Sequence, residues 1–302
     1  MRELTYNEAA LEAVAEEMRR DPKIFYMSTD ALPPLLKEFG PERIKATPIT
    51  EAALTGMAIG AAGCGFRPIV DWRQVTFPIL YRAAVGGGGQ VAAQHWQSPY
   101  SMFMNVAGLK MFLPSTPHDI KGLLKTAIRD NNPVISFESS RLMTRKGPVP
   151  EEDYAIPFGK ADIKREGSDV TVVALAWLVH EALAAAEELA TEGISVEVID
   201  PRSLVPLDAE TIRNSVQKTG RLVIADEAGP TAGFSAEVAA IATEDGATFA
   251  RLQAPVKRVC ALQVPIPYSP ILESHVFPDR KRILAGIREA LEGCSPRQQT
   301  AR

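Results

Sequence analysis

Apolar positions along the chain follow two spacings in turn. Leu11, Val14, Ala15 and Met18 recur at helical intervals, behind Thr5 and Glu8, which have the spacing of a capping box. The short uninterrupted run at 24–27 reads as a buried strand. A small-residue helix from Glu51 leads to a strand at 68–70, and further strands are expected at 78–81, 109–113 and 133–137. Between the last two, Thr116, Pro117 and Asp119 supply a cap, an N1 proline and an acidic first turn. The second half continues in the same way: a strand at 170–175, a helix at 180–189 closed near Gly193, a strand at 196–199, a helix at 208–218 ending at Gly220 and a strand at 222–225. Strands that run apolar without alternation belong to a sheet covered on both faces. Strands separated by helices belong to βαβ units with right-handed crossovers. The expected fold class is therefore α/β in both halves.

A chain of 302 residues suits two domains rather than one core. Residues 144–167 change character, with Gly147, Pro148, Pro150 and Pro157 among acidic residues. The expected division is a first domain at 1–150, a linker at 151–167 whose last residues enter the next domain, a second domain at 168–292 and a disordered tail at 293–302. A net charge of -4 gives no reason to expect nucleic acid or an anionic membrane as partner. No apolar span is long enough for a transmembrane helix, and the N-terminus lacks the apolar core of a signal peptide, so a cytoplasmic location is expected. Cys64, Cys260 and Cys294 form no CxxC pair, and the four histidines show no metal-ligand spacing.

Glu51 is the first candidate for chemistry. Thr50 is placed to cap the helix, which sets Glu51 in its first turn, where a carboxylate complements the helix dipole. Gly56, Gly60, Gly63 and Gly65 follow among alanines. Each glycine inside a helix costs about 1 kcal/mol relative to alanine, so several together point to the close approach of a ligand or of a packed interface. His95 is the second candidate. It follows four glycines at 86–89, which read as a mobile or strained loop, and imidazole is the usual proton shuttle near neutral pH. A structural role for this histidine is the competing reading. Cys64 reads as a small buried residue. Asp226 and Glu227 follow a strand and either line a cleft at strand ends or cap helices.

The segments 47–68, Gln94-His95-Trp96-Gln97, 114–130, 194–202, 215–221 and 264–269 stand in one order over almost the whole chain. In that order they resemble the β subunits of thiamine-diphosphate-dependent 2-oxo acid dehydrogenase E1 components, of the pyruvate and acetoin types. The resemblance implies a thiamine-diphosphate-binding pyrimidine domain followed by a transketolase C-terminal-like α/β domain. It implies that Glu51 holds the aminopyrimidine of thiamine diphosphate and that His95 is the active-site histidine. The cofactor would be shared with an E1 α subunit that carries the diphosphate and magnesium site, and no GDG motif for that site occurs here. The α and β pairs would form a heterotetramer. The substrate would be a 2-oxo acid or acetoin, and the acyl group would pass to lipoyl on an acyltransferase E2.

This chain departs from the family pattern in three places. Ser28-Thr29-Asp30 stands where Gly-Glu-Asp is usual, with a shortened loop after it. Roughly two dozen residues are missing between Phe77 and Pro78, enough for six to seven helical turns. That stretch supplies an aromatic stacked on the pyrimidine, and Phe77 is the last matching aromatic before the gap. Trp96 replaces the motif serine after the histidine. A non-catalytic scaffold or regulatory homologue and a split transketolase-like enzyme acting on sugar phosphates are the alternatives.

Overall fold

The computed structural model describes residues 6–28, 32–48, 51–70 and 80–293. The chain divides into two compact units, Met1–Val75 and Thr76–Arg302. Thr5, Thr50, Phe77 and the tail from 294 lie outside the described residues.

The first unit holds α1 (Tyr6–Arg20), β1 (Ile24–Ser28), α2 (Pro33–Arg43), β2 (Ile44–Ala46), α3 (Glu51–Gly63) and β3 (Arg67–Val70). Its three strands are parallel in the order β2-β1-β3. The periodic residues of α1 pack as read: Ala15 and Met18 are buried with Ile24, Leu35 and Ile44, flanked by Leu11 and Val14. Arg43 ties the turn after α1 to the sheet. Its guanidinium donates to the carbonyls of Met18 at 2.7 Å, Asp21 at 2.8 Å and Ile24 at 2.9 Å, which satisfies backbone groups that a helix end leaves open.

The second unit contains two sheets. The first is built from β4 (Leu80–Val85), β5 (Lys110–Phe112) and β6 (Val134–Ser139), with α4 (Pro117–Ile128) between the last two. Thr116 caps α4 by accepting from Asp119 N at 3.1 Å. Then come β7 (Asp162–Arg165), β8 (Val170–Ala174), α5 (Trp177–Ala190), β9 (Val196–Asp200) and β10 (Ser203–Val205). They are followed by α6 (Ala209–Thr219), β11 (Leu222–Asp226), α7 (Phe234–Glu244), α8 (Gly246–Phe249), β12 (Lys257–Cys260), α9 (Pro270–Val276) and α10 (Arg280–Glu292). The larger sheet has the order β12-β11-β8-β9-β7, parallel except for the edge strand β7. Every residue of β8, β9 and β11 is buried, as expected for strands covered on both faces. The end of the expected linker is β7, which enters this sheet.

The strand β10 crosses to the smaller sheet, whose order is β10-β5-β6-β4, and pairs there antiparallel with β5. One apolar core consequently runs from Val85, Tyr100, Met111 and Phe137 into Val173, Leu175, Leu204 and Phe234. A charged cluster accompanies the crossing. Asp119, fully buried, meets Lys164 Nζ at 2.8 Å and Arg202 Nε at 2.9 Å. Asp162 meets the same two cations at 2.6 and 2.7 Å. Burial opposes the charge on Asp119, but hydrogen bonds from Lys164 and Thr116 outweigh it and hold its carboxyl below the usual range. Asp200, also fully buried, accepts from the Ser115 hydroxyl; burial raises it to about 6 despite Lys164.

Removing one partner of a buried charge cluster leaves a charge uncompensated. Lys164→Met is expected to cost about 3 kcal/mol of stability, measured as a shift in the urea midpoint at constant slope. A change below about 0.5 kcal/mol, the range of a surface substitution, would contradict this account of the crossing.

Candidate functional site

The residues singled out for chemistry fall in both units. Glu51 is the first residue of α3 in the first unit. No described atom lies within 4 Å of where a Cβ would stand at Gly56, Gly60 or Gly63, and Met57 and Ile59 are exposed. The small face of the helix is thus open among the described residues. Cys64 is exposed rather than buried, because the end of this helix is uncovered there. Phe77 lies outside the described residues.

His95 lies in the second unit, exposed, on a turn where its N–H donates to Ala92 O at 3.3 Å. The glycine loop before it is packed closely at Gly86 and Gly87. Gly86 has φ 88°, a left-handed conformation that glycine adopts without steric cost. A Cβ there would stand 2.9 Å from Glu227 Oε2. At Gly87 a Cβ would collide with the Phe277 ring. The loop is also gripped by hydrogen bonds. Gly88 N–H donates to Glu273 Oε1 at 2.9 Å, and Gly87 O accepts from Ser140 Oγ at 2.8 Å and Arg141 Nε at 3.2 Å. The Arg141 guanidinium in turn lies over the Phe277 ring, 5.4 Å from its centroid. Trp96, beside His95, packs against the cluster of Ala261, Ile266, Val276 and Phe277.

Asp226 and Glu227, at the carboxyl end of β11, divide the two roles left open for them. Asp226 organises backbone. It accepts from Ala228 N at 2.9 Å, from Ser235 N at 3.1 Å at the start of α7, and from the buried Tyr100 hydroxyl. Burial lifts its carboxyl to about 6, with the Tyr100 hydrogen bond pulling the other way. Glu227 lines a cleft. Its side chain is buried, and neither oxygen has a hydrogen-bond partner among the described residues. Burial raises it to about 7, against the attraction of Arg141. Tyr100, Arg141, Glu273 and Phe277 had no sequence signal of their own. Each becomes visible only when the glycine loop and the strand ends are seen together. Among the described residues no group of three or more His, Cys, Asp or Glu is placed to hold a metal ion.

Two family descriptions match the chain: the transketolase pyrimidine binding domain over residues 71–146 and the transketolase C-terminal domain over residues 159–283. The β subunit of acetoin:2,6-dichlorophenolindophenol oxidoreductase of Cupriavidus necator is 39% identical over 336 residues, covering 97% of this chain and 98% of the relative. The 2-oxoisovalerate dehydrogenase β subunit of Bacillus subtilis is 38% identical, covering 96% of this chain and 99% of the relative. The mitochondrial pyruvate dehydrogenase E1 component subunit beta-1 of Arabidopsis thaliana is 38% identical, covering 96% and 90%. Among solved structures, a split gene transketolase described as an inactive beta4 tetramer matches with a TM-score of 0.62 and 25% identity, covering 94% of this chain and 97% of that one. The alignment over 336 positions, set against a chain of 302 residues, leaves at least 34 positions where the Cupriavidus protein has a residue and this chain has none.

The raised Glu227 carboxyl has a signed consequence for stability. Its folded value of about 7 lies above the ordinary 4.5, so between those values the folded state holds more protons than the unfolded one. Stability must fall as pH rises through that window and level off above it, with a total on the order of 3 kcal/mol from this group. Urea midpoints from pH 4.5 to 8 should decline in the wild type, and Glu227→Gln should remove that share of the decline. Parallel pH profiles for the two proteins would contradict the assignment.

Proposed function

This chain belongs to the family of E1 β subunits of thiamine-diphosphate-dependent 2-oxo acid and acetoin dehydrogenases, and we propose that it works as such a subunit with Glu51 and His95 as its chemical groups. Similarity over 97% of the chain and 98% of a relative carries this reading. An enzyme of this family works with an E1 α subunit, and thiamine diphosphate is its cofactor. We propose a 2-oxo acid of the pyruvate type or acetoin as substrate, and lipoyl on an acyltransferase E2 as acceptor. No described helix is long and apolar enough to cross a membrane; a cytoplasmic location is part of the proposal.

The open glycine face of α3 supports a fit to the cofactor. Glu51 opens α3, and the glycine face behind it has room. Glu51 would hold the aminopyrimidine through a ring nitrogen, Phe77 would stack on the ring, and the diphosphate and its magnesium would lie on the α subunit. When bound, thiamine diphosphate supplies the carbon nucleophile and the electron sink. The protein residues orient it and move protons. Glu51 would keep a proton at the ring nitrogen it faces, and the imidazole of His95, on a turn backed by the packed glycine loop, would exchange a proton during acyl transfer.

A second reading has an observation of its own. The absence of at least 34 positions present in the Cupriavidus relative favours a homologue that keeps the fold and has given up catalysis. The two readings separate on Glu51→Ala in a complex with the α subunit whose assembly is verified by size. The catalytic reading expects turnover of pyruvate or acetoin with a dye acceptor to fall by about a hundredfold or more, equivalent to about 2.7 kcal/mol. Turnover indifferent to this substitution would overturn it in favour of the non-catalytic reading.

A further inference from the structure

His95 sits near the end of a closed loop. Gly86 N–H donates to Gln97 O at 3.3 Å, so residues 86–97 leave and rejoin the fold at one point, as an Ω-loop does. Close to the histidine, the His95 and Trp96 N–H groups both donate to Ala92 O, at 3.3 and 3.0 Å. Two other segments hold the loop. Ser140 and Arg141, just after β6, donate to Gly87 O. Glu273, in the first turn of α9, accepts from Gly88 N–H at 2.9 Å. Among the described residues it is the only side chain that accepts from an N–H of residues 86–97.

A carboxylate in the first turn of a helix ordinarily faces water and complements the helix dipole. Glu273 is instead turned inward and is 3% exposed. Burying a carboxylate is costly unless it is hydrogen-bonded, and an N–H bond to a carboxylate is stronger than one to a neutral oxygen. The bond to Gly88 offsets that cost and at the same time fixes the loop. From Gly88 the grip passes on. Gly89 lies so close to the Trp96 ring that a Cβ there would stand 2.4 Å from Cζ2. Trp96 in turn packs on the cluster that contains Val276 and Phe277, at the other end of α9. One short helix therefore meets the loop twice, at Gly88 and at Trp96, on either side of His95's turn.

We propose that Glu273 is a positioning residue for His95: by fixing Gly88 it seats Gly89 against Trp96, and so sets the turn that carries the imidazole. This rests on the reading of His95 as the group that exchanges a proton during acyl transfer. In that transfer the carbon that becomes the acyl group bonds through its electron pair to one lipoyl sulfur. The disulfide bond breaks, and the departing sulfur takes up a proton, which the imidazole supplies. A displaced imidazole slows this step. A dye acceptor presents no departing sulfur, so turnover with dye is spared.

The test uses the complex with the α subunit, its assembly verified by size, and whichever of pyruvate or acetoin the wild type turns over. Acyl transfer to free lipoamide and turnover with dye are measured side by side in Glu273→Leu, Glu273→Gln, His95→Ala and the Glu273→Leu/His95→Ala double variant. His95→Ala should cut transfer by about a hundredfold. Glu273→Leu should cut it by about tenfold or more, with dye turnover within about twofold of wild type. Glu273→Gln keeps an acceptor oxygen and should hold transfer within about threefold of wild type. The double variant should transfer no worse than His95→Ala, because Glu273 acts through that residue. In the same complex, hydrogen exchange across 86–97 should quicken in Glu273→Leu and not in Glu273→Gln. If the Leu variant does not fold, Glu273→Asp replaces it, keeping the charge but withdrawing it by one methylene. Equal losses in the two assays, losses that multiply in the double variant, or unchanged exchange would overturn the positioning role. Transfer intact in His95→Ala, or absent in the wild type, would instead overturn the reading of His95 and the proposal with it.

Discussion

Gly86 turns beneath the Glu227 carboxylate, Gly87 passes against the Phe277 ring, and Gly88 donates to Glu273. Residues from 227 to 277 therefore shape a loop that begins at residue 86, far earlier in the chain. The conformation at 86–89 is available to glycine at low cost, but nothing in the glycines selects it. The selection comes from the walls, and the turn bearing His95 is fixed by the same contacts through Trp96. The position of His95, the proposed proton-transfer group, therefore depends on packing within the second unit.

That packing has its own support. The crossing of β10 to pair with β5 commits the larger sheet's connection to the smaller sheet. The cluster of Asp119, Lys164, Asp162 and Arg202 sits where the crossing occurs. Buried charges are weak sources of net stability and strong sources of penalty when mispaired. Here they specify one arrangement of the connection, while the apolar core through Val85, Phe137, Leu175 and Leu204 provides the driving force.

Much of this architecture was legible in the sequence. The largely apolar segments at 170–175, 196–199 and 222–225 announced strands covered on both faces, and β8, β9 and β11 are buried throughout, Thr171 and Glu197 included. Thr116, Pro117 and Asp119 announced the start of α4, and the cap is made as they required. The short strands β2 and β10 escaped, since three residues carry too little periodicity and their pairing is decided by distant chain. The glycine loop was legible as an irregular segment, mobile or strained, yet its close packing was not, because Phe277, Arg141 and Glu273 lie far away in sequence. Cys64 was misread as buried: an apolar neighbourhood in sequence says nothing of whether another element covers it. Glu227 could be read only as one of two alternatives, since an unpartnered carboxyl is a property of the space around it.

The family sets what the chain works with, and the missing positions set the question of whether it still works. Glu51 and His95 are the residues proposed to carry the chemistry, while at least 34 positions of the Cupriavidus relative have no counterpart. The central claim is that this chain still completes a thiamine diphosphate site once joined to its α subunit. Calorimetric titration of thiamine diphosphate with magnesium into the purified αβ complex tests it most directly. The account predicts saturable binding to the complex and none to this chain alone; a complex of verified composition that takes up no cofactor would contradict it.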